Sequence, residues 1–161
     1  MQDNKRVIEA SDLIPAVRAA GENTRFLGEL REILTDADDA VGTYGPICRE
    51  CGKCCDFAKK DHRLFVSTGE LALLTIITPP CAPSPLHCPY QLALTCTARQ
   101  FRPLGCRIYY CKRAANALFN DIYERFHRRI LSAHPRCGVP YYYTELTSGL
   151  VDLGPDMGFK R

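Results

Sequence analysis

Long apolar runs are missing from this 161-residue chain. No stretch approaches the roughly 20 residues that a membrane-spanning helix needs, so no membrane partner is expected. The first residues, Met1 to Ala20, mix Asp3, Glu9 and Asp12 with scattered apolar side chains. They contain no continuous apolar core, so no signal peptide is expected. There is no glycine-rich phosphate or dinucleotide fingerprint, no Ser/His/Asp set and no carboxylate pair, so nothing in the sequence names a reaction. Internal repeats and low-complexity segments are absent too.

Cysteine is what the chain has in excess, with ten residues. Four fall in Cys48-Arg49-Glu50-Cys51-Gly52-Lys53-Cys54-Cys55, and Cys81, Cys88, Cys96, Cys106, Cys111 and Cys137 follow. A turn can aim thiols from positions i and i+3 at one point, which is why C-x2-C recurs in metal sites. Here the step is taken twice, through Cys48, Cys51 and Cys54, with Gly52 relaxing the backbone between two of them. Cys55 directly after Cys54 is awkward as a fourth ligand to the same ion, because neighbouring side chains diverge. It would more easily serve a second metal or a larger cluster. A disulfide framework is the competing use of ten cysteines. With no export signal expected, a reducing, cytoplasmic location follows, and there thiols stay free for metals. An oxidising compartment would reverse that preference.

At 161 residues, 46% hydrophobic and 24% charged, the composition fits one globular domain. The net charge of +3 hides a gradient: residues 1–47 hold five bases and nine acids, and residues 99–136 nine bases and two acids. The basic stretch would offset a thiolate cluster, since four thiolates on one divalent ion leave a charge of about −2. It could also meet a protein partner. No aromatic-interleaved basic motif appears, which argues against nucleic acid.

Asn23 or Thr24 is expected to cap a helix to about Thr35, carrying Phe26, Leu27, Leu30, Ile33 and Leu34 at helical spacing. A shorter helix after Ser11 would hold Pro15 in its first turn. Asp36, Asp38 and Asp39 read as a solvated acidic exit, before Gly42, Gly45 and Pro46 break the chain. Ser67-Thr68-Gly69-Glu70 has the form of a capping box, opening a helix with Leu71, Leu73, Leu74 and Ile77 that ends before Pro79-Pro80. Residues 79–90 are proline-rich and irregular. The longest helix is expected over about 106–133, with a stripe of Ile108, Ala115, Leu118, Phe119, Ile122, Phe126 and Ile130, and His134-Pro135 as its end. Cys106 would sit near that helix N-terminus, where the dipole, Arg102 and Arg107 favour its thiolate. Cys111, at i+5, would lie roughly 140° away around the same helix. Strands are conceivable around 64–66 and 139–143. Tyr141-Tyr142-Tyr143 is a strand or a partner-facing patch.

The pattern resembles the YkgJ-type cysteine-cluster family, a zinc- or iron-chelating domain marked by C-x2-C-x2-C-C. Ser67-Thr68-Gly69-Glu70-Leu71 looks like its Ser-x-x-Glu-Leu helix start, and Cys88-Pro89-Tyr90 like its Cys-Pro-aromatic step. Cys96, Arg102-Pro103 and Cys106-Arg107 look like its Cys … Arg-Pro-x-x-Cys-Arg block. One departure is Ala98-Arg99, where the family often has Ile-Tyr. The resemblance spans about residues 48–111. It implies metal ligands at Cys48, Cys51, Cys54, Cys55, Cys88, Cys96 and Cys106, with Cys111 an eighth. Cys81 and Cys137 fall outside the motif and read as small buried hydrophobes. Among His62, His87, His127 and His134, only His87, beside Cys88, merits a test as a ligand. Some longer relatives resemble flagellin lysine methylases, but this chain has no cofactor fingerprint.

The expected fold is mainly α: a small helical metal-binding domain with irregular Cys-rich loops and few or no strands. Its expected parts are an N-terminal helical segment over 1–47, the cysteine-cluster domain over 48–137 and a tail over 138–161. Three closely spaced thiols on a loop suit the corners of an iron–sulfur cubane, and this favours iron–sulfur over zinc. Cys48, Cys51, Cys54 and Cys106 are taken to share one centre. The expected function is metal binding with a redox, metal-handling or partner-binding role. The alternatives are a cluster-dependent oxidoreductase or methylase-like enzyme, and a structural zinc protein. The expected partners are metal ions, and a protein at the basic helix or the Tyr-rich segment.

Overall fold

Asn23 starts the helix that organises the molecule: its side-chain oxygen accepts the Phe26 N–H at 2.9 Å. In the computed structural model, which describes residues 10–46, 48, 50–110 and 116–154, this helix α2 runs Thr24–Gly42. It is longer than its apolar spacing to Leu34 suggested, because Ala37 and Val41 extend the buried stripe past Asp36, Asp38 and Asp39. Those aspartates therefore lie on the helix rather than in an exit turn. The preceding helix α1, Ala10–Glu22, holds Pro15 beyond its first turn. Burial of Leu13, Ala16, Val17 and Ala20 at helical spacing outweighs the one backbone bond that proline forgoes.

A short helix α3, Phe57–Lys60, follows the cysteine run, and strand β1, Phe65–Ser67, leads into α4, Thr68–Leu74. The capping box is present in full: Ser67 Oγ accepts the Glu70 N–H, and Glu70 accepts from the Ser67 N–H at 2.7 Å. Residues 79–90 are irregular except for an isolated bridge between Asp56 and His87. A two-residue hairpin then joins β2, Gln91–Leu92, to β3, Thr95–Cys96.

The expected long helix is two. Helix α5 covers Leu104–Ile108, Tyr109 is extended at its end, and α6 runs Asn116–Arg136. Ile108 thus belongs to α5, and the α6 core stripe is Phe119, Ile122, Phe126, Ile130 and Ala133. Pro135 is tolerated in the last turn of α6, where the carbonyl its ring leaves unbonded belongs to exposed Leu131. Strand β4, Tyr143–Glu145, pairs antiparallel with β1, and α7, Leu146–Leu153, closes the chain described.

The architecture is mainly helical, with two small two-stranded sheets among the described residues. One core runs from Leu13 to Leu153 and draws on α1, α2, α4, α6 and α7. Helices α2 and α6 pack antiparallel, since Glu29 pairs with Arg136 and Asp36 with Arg129. Asp38 pairs with Arg107 and Glu50 with Arg99. Three acids of the N-terminal stretch thus pair with bases of the C-terminal one. Among the described residues, no helix is long and apolar enough to cross a membrane.

Candidate metal centre

Seven of the eight cysteines expected as ligands, Cys48, Cys51, Cys54, Cys55, Cys88, Cys96 and Cys106, line one cavity of about 240 Å³. The eighth, Cys111, lies outside the described residues. The thiols come from four separate segments, each held by its own local bonding. Leu64, Leu74, Leu146, Tyr109 and Tyr110 supply apolar walls, and Arg102 a guanidinium.

The cysteine run enters at the Gly45-Pro46 break after α2, and turns at Gly52 into a 3-10 turn over Lys53–Cys55. Gly52 has φ +68°, and an added Cβ would collide with the Gln91 amide and the Leu94 carbonyl. Only glycine fits there. Gln91 Nε2 donates to the Gly52 carbonyl at 2.9 Å, fastening the turn to the β2–β3 hairpin that carries Cys96. The hairpin's central residues, Ala93 and Leu94, are both left-handed (φ 48° and 66°), as a two-residue turn of this kind demands.

Cys88 is held by the Cys54–Cys55 turn itself, its N–H donating to the Cys55 carbonyl at 2.9 Å. The side chains of Cys54 and Cys55 act on each other, and that of Cys88 on Cys55. Although adjacent, Cys54 and Cys55 both line the cavity. The Cys55 side chain, then burial, pushes the Cys54 thiol well above its usual range. For Cys55 the Cys54 side chain lowers the pKa, but the Cys88 side chain and burial outweigh it and push the thiol up to about 12.

Cys106 sits in α5, whose first turn is fixed from a distance. Glu70 is 3% exposed; its Oε2 takes the Ser67 N–H and hydroxyl, and its Oε1 takes the Leu104 N–H at 2.8 Å. One carboxylate thus starts two helices. Arg107 donates to the Arg102 carbonyl at 2.8 Å and the Gln100 carbonyl at 3.0 Å, and pairs with Asp38. It anchors the loop, and the Cys106 side chain acts on it electrostatically as well. Burial raises the Cys106 thiol, with repulsion from Cys55, Cys54 and Cys96 adding to it, and Arg102 only partly offsets this. The expected thiolate bias from a helix N-terminus is overridden, since α5 has only five residues.

Two expectations about the remaining cysteines and histidines change. Cys81 is exposed rather than buried, and Cys137 is half-buried with its thiol 3.6 Å from Glu29 Oε2; neither lines the cavity. His87 is also outside the cavity, exposed and 3.7 Å from Asp56. His62, which has no ligand spacing, reaches the cysteine run: its Nε2 lies 3.0 Å from the Cys54 carbonyl, and its ring meets Tyr109 edge-on. Nothing in the sequence marks Gln91 or the second oxygen of Glu70, because each acts on a residue more than 30 positions away along the chain.

Among the described residues the donor set is soft sulfur throughout, and the one carboxylate on the lining, Glu50, is paired with Arg99. That chemistry suits a thiophilic metal or an iron–sulfur cluster and not a hard cation. Among the described residues, no three His, Cys, Asp or Glu side chains are gathered tightly enough to hold an ion. Ligation requires deprotonation of the thiols. All nine described cysteines are free. No family model, curated protein or solved structure matches the chain.

Proposed function

We propose that this is a metal-binding protein whose cysteine cavity holds an iron–sulfur cluster or zinc. The observation that carries this reading is the placement of seven thiols from four separate segments around one cavity. Such convergence is hard to explain by packing alone, since most of these residues are only half-buried. When bound, an iron–sulfur cluster would supply one-electron chemistry. The chain's own part would be to provide thiolates, to exclude water through Leu64, Leu74 and Tyr110, and to offset negative charge through Arg102. Iron–sulfur is the preferred occupant, on the spacing of Cys48, Cys51 and Cys54. The same residues carry the resemblance to the YkgJ-type family, and we place the chain there as part of this proposal. Its role is redox or metal handling in a reducing, cytoplasmic setting.

The test is metal and acid-labile sulfide analysis on protein purified without oxygen, with an absorption spectrum. Iron, sulfide and a brown chromophore are expected. Colourless protein with stoichiometric zinc would replace the cluster by a structural metal. Protein free of both metals, which also fails to take them up, would refute the reading.

A further inference from the structure

The β2–β3 hairpin turns through Leu92-Ala93-Leu94, and its two leucines are 55% and 66% exposed. Leu94 is the most exposed large apolar side chain among the described residues. One exposed leucine is ordinary on a protein surface. Two within three residues, on a turn that disfavours them, are not. Ala93 and Leu94 hold left-handed backbone, where Asn-Gly is the favoured pair and other side chains are strained. The fold alone would be better served by different residues at this turn. Strain kept at an exposed apolar tip points to a use outside the fold.

The tip is firmly based and close to the thiols. The Thr97 N–H and hydroxyl both donate to the Tyr90 carbonyl at 2.8 Å, and the buried Tyr90 hydroxyl donates to the Leu74 carbonyl at 3.0 Å. The Leu94 carbonyl lies against Gly52, Leu94 itself lines the cavity, and Cys96 follows two residues on. The charged side chains on that lining are Lys53, Arg99 and Arg102 against Glu50 alone. Glu50 is taken by Arg99, and Lys53 is exposed with no carboxylate partner among the described residues. The opening beside the tip is therefore positive in balance.

We infer that the Leu92–Leu94 tip is the docking point for an acidic electron-carrier protein. The carrier seats the two leucines in an apolar patch and sets carboxylates opposite Lys53 and Arg102. This rests on the redox reading above. Two leucines with a basic flank suit the small, brief interfaces of electron carriers. An anionic membrane is the poorer fit, because Glu50, 58% exposed, stands in the same opening. On docking, the carrier's reduced cofactor loses one electron and the occupant of the cavity gains it; no bond is made or broken.

The probes are an acidic flavodoxin and an acidic plant-type ferredoxin, each titrated onto the reduced, metal-free full chain under nitrogen and followed by NMR line broadening. The wild type is expected to bind both, more weakly as salt rises. Leu92→Ser and the double variant Ala93→Asn/Leu94→Gly should each weaken binding by about tenfold or more, the scale of a lost interface anchor. The double variant should unfold in urea at a midpoint equal to or above wild type, because Asn-Gly suits the turn. In chain loaded with iron and sulfide, oxidation of reduced flavodoxin should slow by the same factor, while reduction by dithionite, which needs no docking, keeps its rate. Wild-type binding in both variants, no binding of either carrier by the wild type, or a lower midpoint in the double variant would overturn the inference. Leucine-dependent binding to phosphatidylglycerol vesicles, with none to the carriers, would overturn it in favour of a lipid surface. A loaded chain that dithionite leaves unreduced would remove the redox reading instead, and the titrations on metal-free chain read the docking surface separately.

Discussion

Replacing Glu70 by glutamine leaves shape and size nearly unchanged but removes an acceptor from a site that uses both oxygens. Oε2 takes two donors from Ser67 at 2.7 Å, and Oε1 takes the Leu104 N–H at 2.8 Å. An amide has one oxygen. If it turns to Ser67, its NH₂ faces the Leu104 N–H; if it turns to Leu104, it faces the Ser67 donors. Either way at least one buried donor loses its acceptor, at a cost of about 1–3 kcal/mol, and a charge-assisted bond worth about 1.5–3 kcal/mol is lost. These overlap, so we expect Glu70→Gln to destabilise the fold by about 2–4 kcal/mol. Urea unfolding of the reduced protein at neutral pH measures this. Ser67→Ala, a capping loss of about 0.5–2 kcal/mol, gives the second edge of a double-mutant cycle. The two changes should couple by more than about 0.5 kcal/mol, since they share one network. A Glu70→Gln protein within about 0.5 kcal/mol of wild type would refute the claim that this carboxylate fixes the start of α5, and with it the seat of Cys106.

Three further outcomes follow from the same geometry. Gly52→Ala, at φ +68° against Gln91 and Leu94, should cost at least about 1–2 kcal/mol in urea unfolding; it should also lower metal uptake, whereas Gly28→Ala, with open space around it, should not. Arg107→Lys should cost about 2–4 kcal/mol, because an ammonium cannot reach the Arg102 and Gln100 carbonyls and Asp38 together; wild-type stability would show that these bonds are dispensable. His134 is fully buried, with Nδ1 beside the Val139 and Pro140 carbonyls and Nε2 without a partner. Burial lowers its pKa below the ordinary 6.5, the two carbonyls only partly offsetting this. The unfolded chain therefore takes up the proton first on acidification. His134 thus contributes stability that is present in full above 6.5 and is lost as pH falls from there toward the folded-state value. Urea midpoints between neutral pH and about pH 5 should fall less steeply in His134→Phe; equal slopes would remove His134 as the cause.

Local signals were legible in the sequence, and distant ones were not. The Asn23 cap and the Ser67–Glu70 box close over three residues, so their partners lie within the motif that announces them. The thiols were legible as a group because cysteine spacing constrains which of them can meet. The second half of Glu70's bonding, to Leu104, spans 34 residues, and no periodicity encodes it. The break between α5 and α6 was hidden because apolar residues keep helical spacing from Ile108 to Ile130 through a segment that is not one helix. Asp36 and Asp38 look solvated in isolation; they are helix residues because Ala37 and Val41 continue the stripe, and their partners, Arg129 and Arg107, come from far along the chain. Residue type alone could not separate buried Cys88 from exposed Cys81.

The pairing of α2 with α6 has a consequence for the entropy of the segment between them. All seven cavity cysteines lie on chain that leaves α2 and returns to α6, so once these helices dock, that chain is a closed ring. Gathering thiols from an open chain means closing a new loop for each distant ligand, at a cost that grows with the logarithm of its length. In the docked protein much of that cost has already been met by apolar packing and by the ion pairs of Glu29, Asp36 and Asp38. Anything that binds the thiols then acts on short arcs between fixed posts. Loosening the helix pair on its outer face, by reversing the charge of Arg129 for example, would lengthen those arcs and weaken binding without touching a single sulfur.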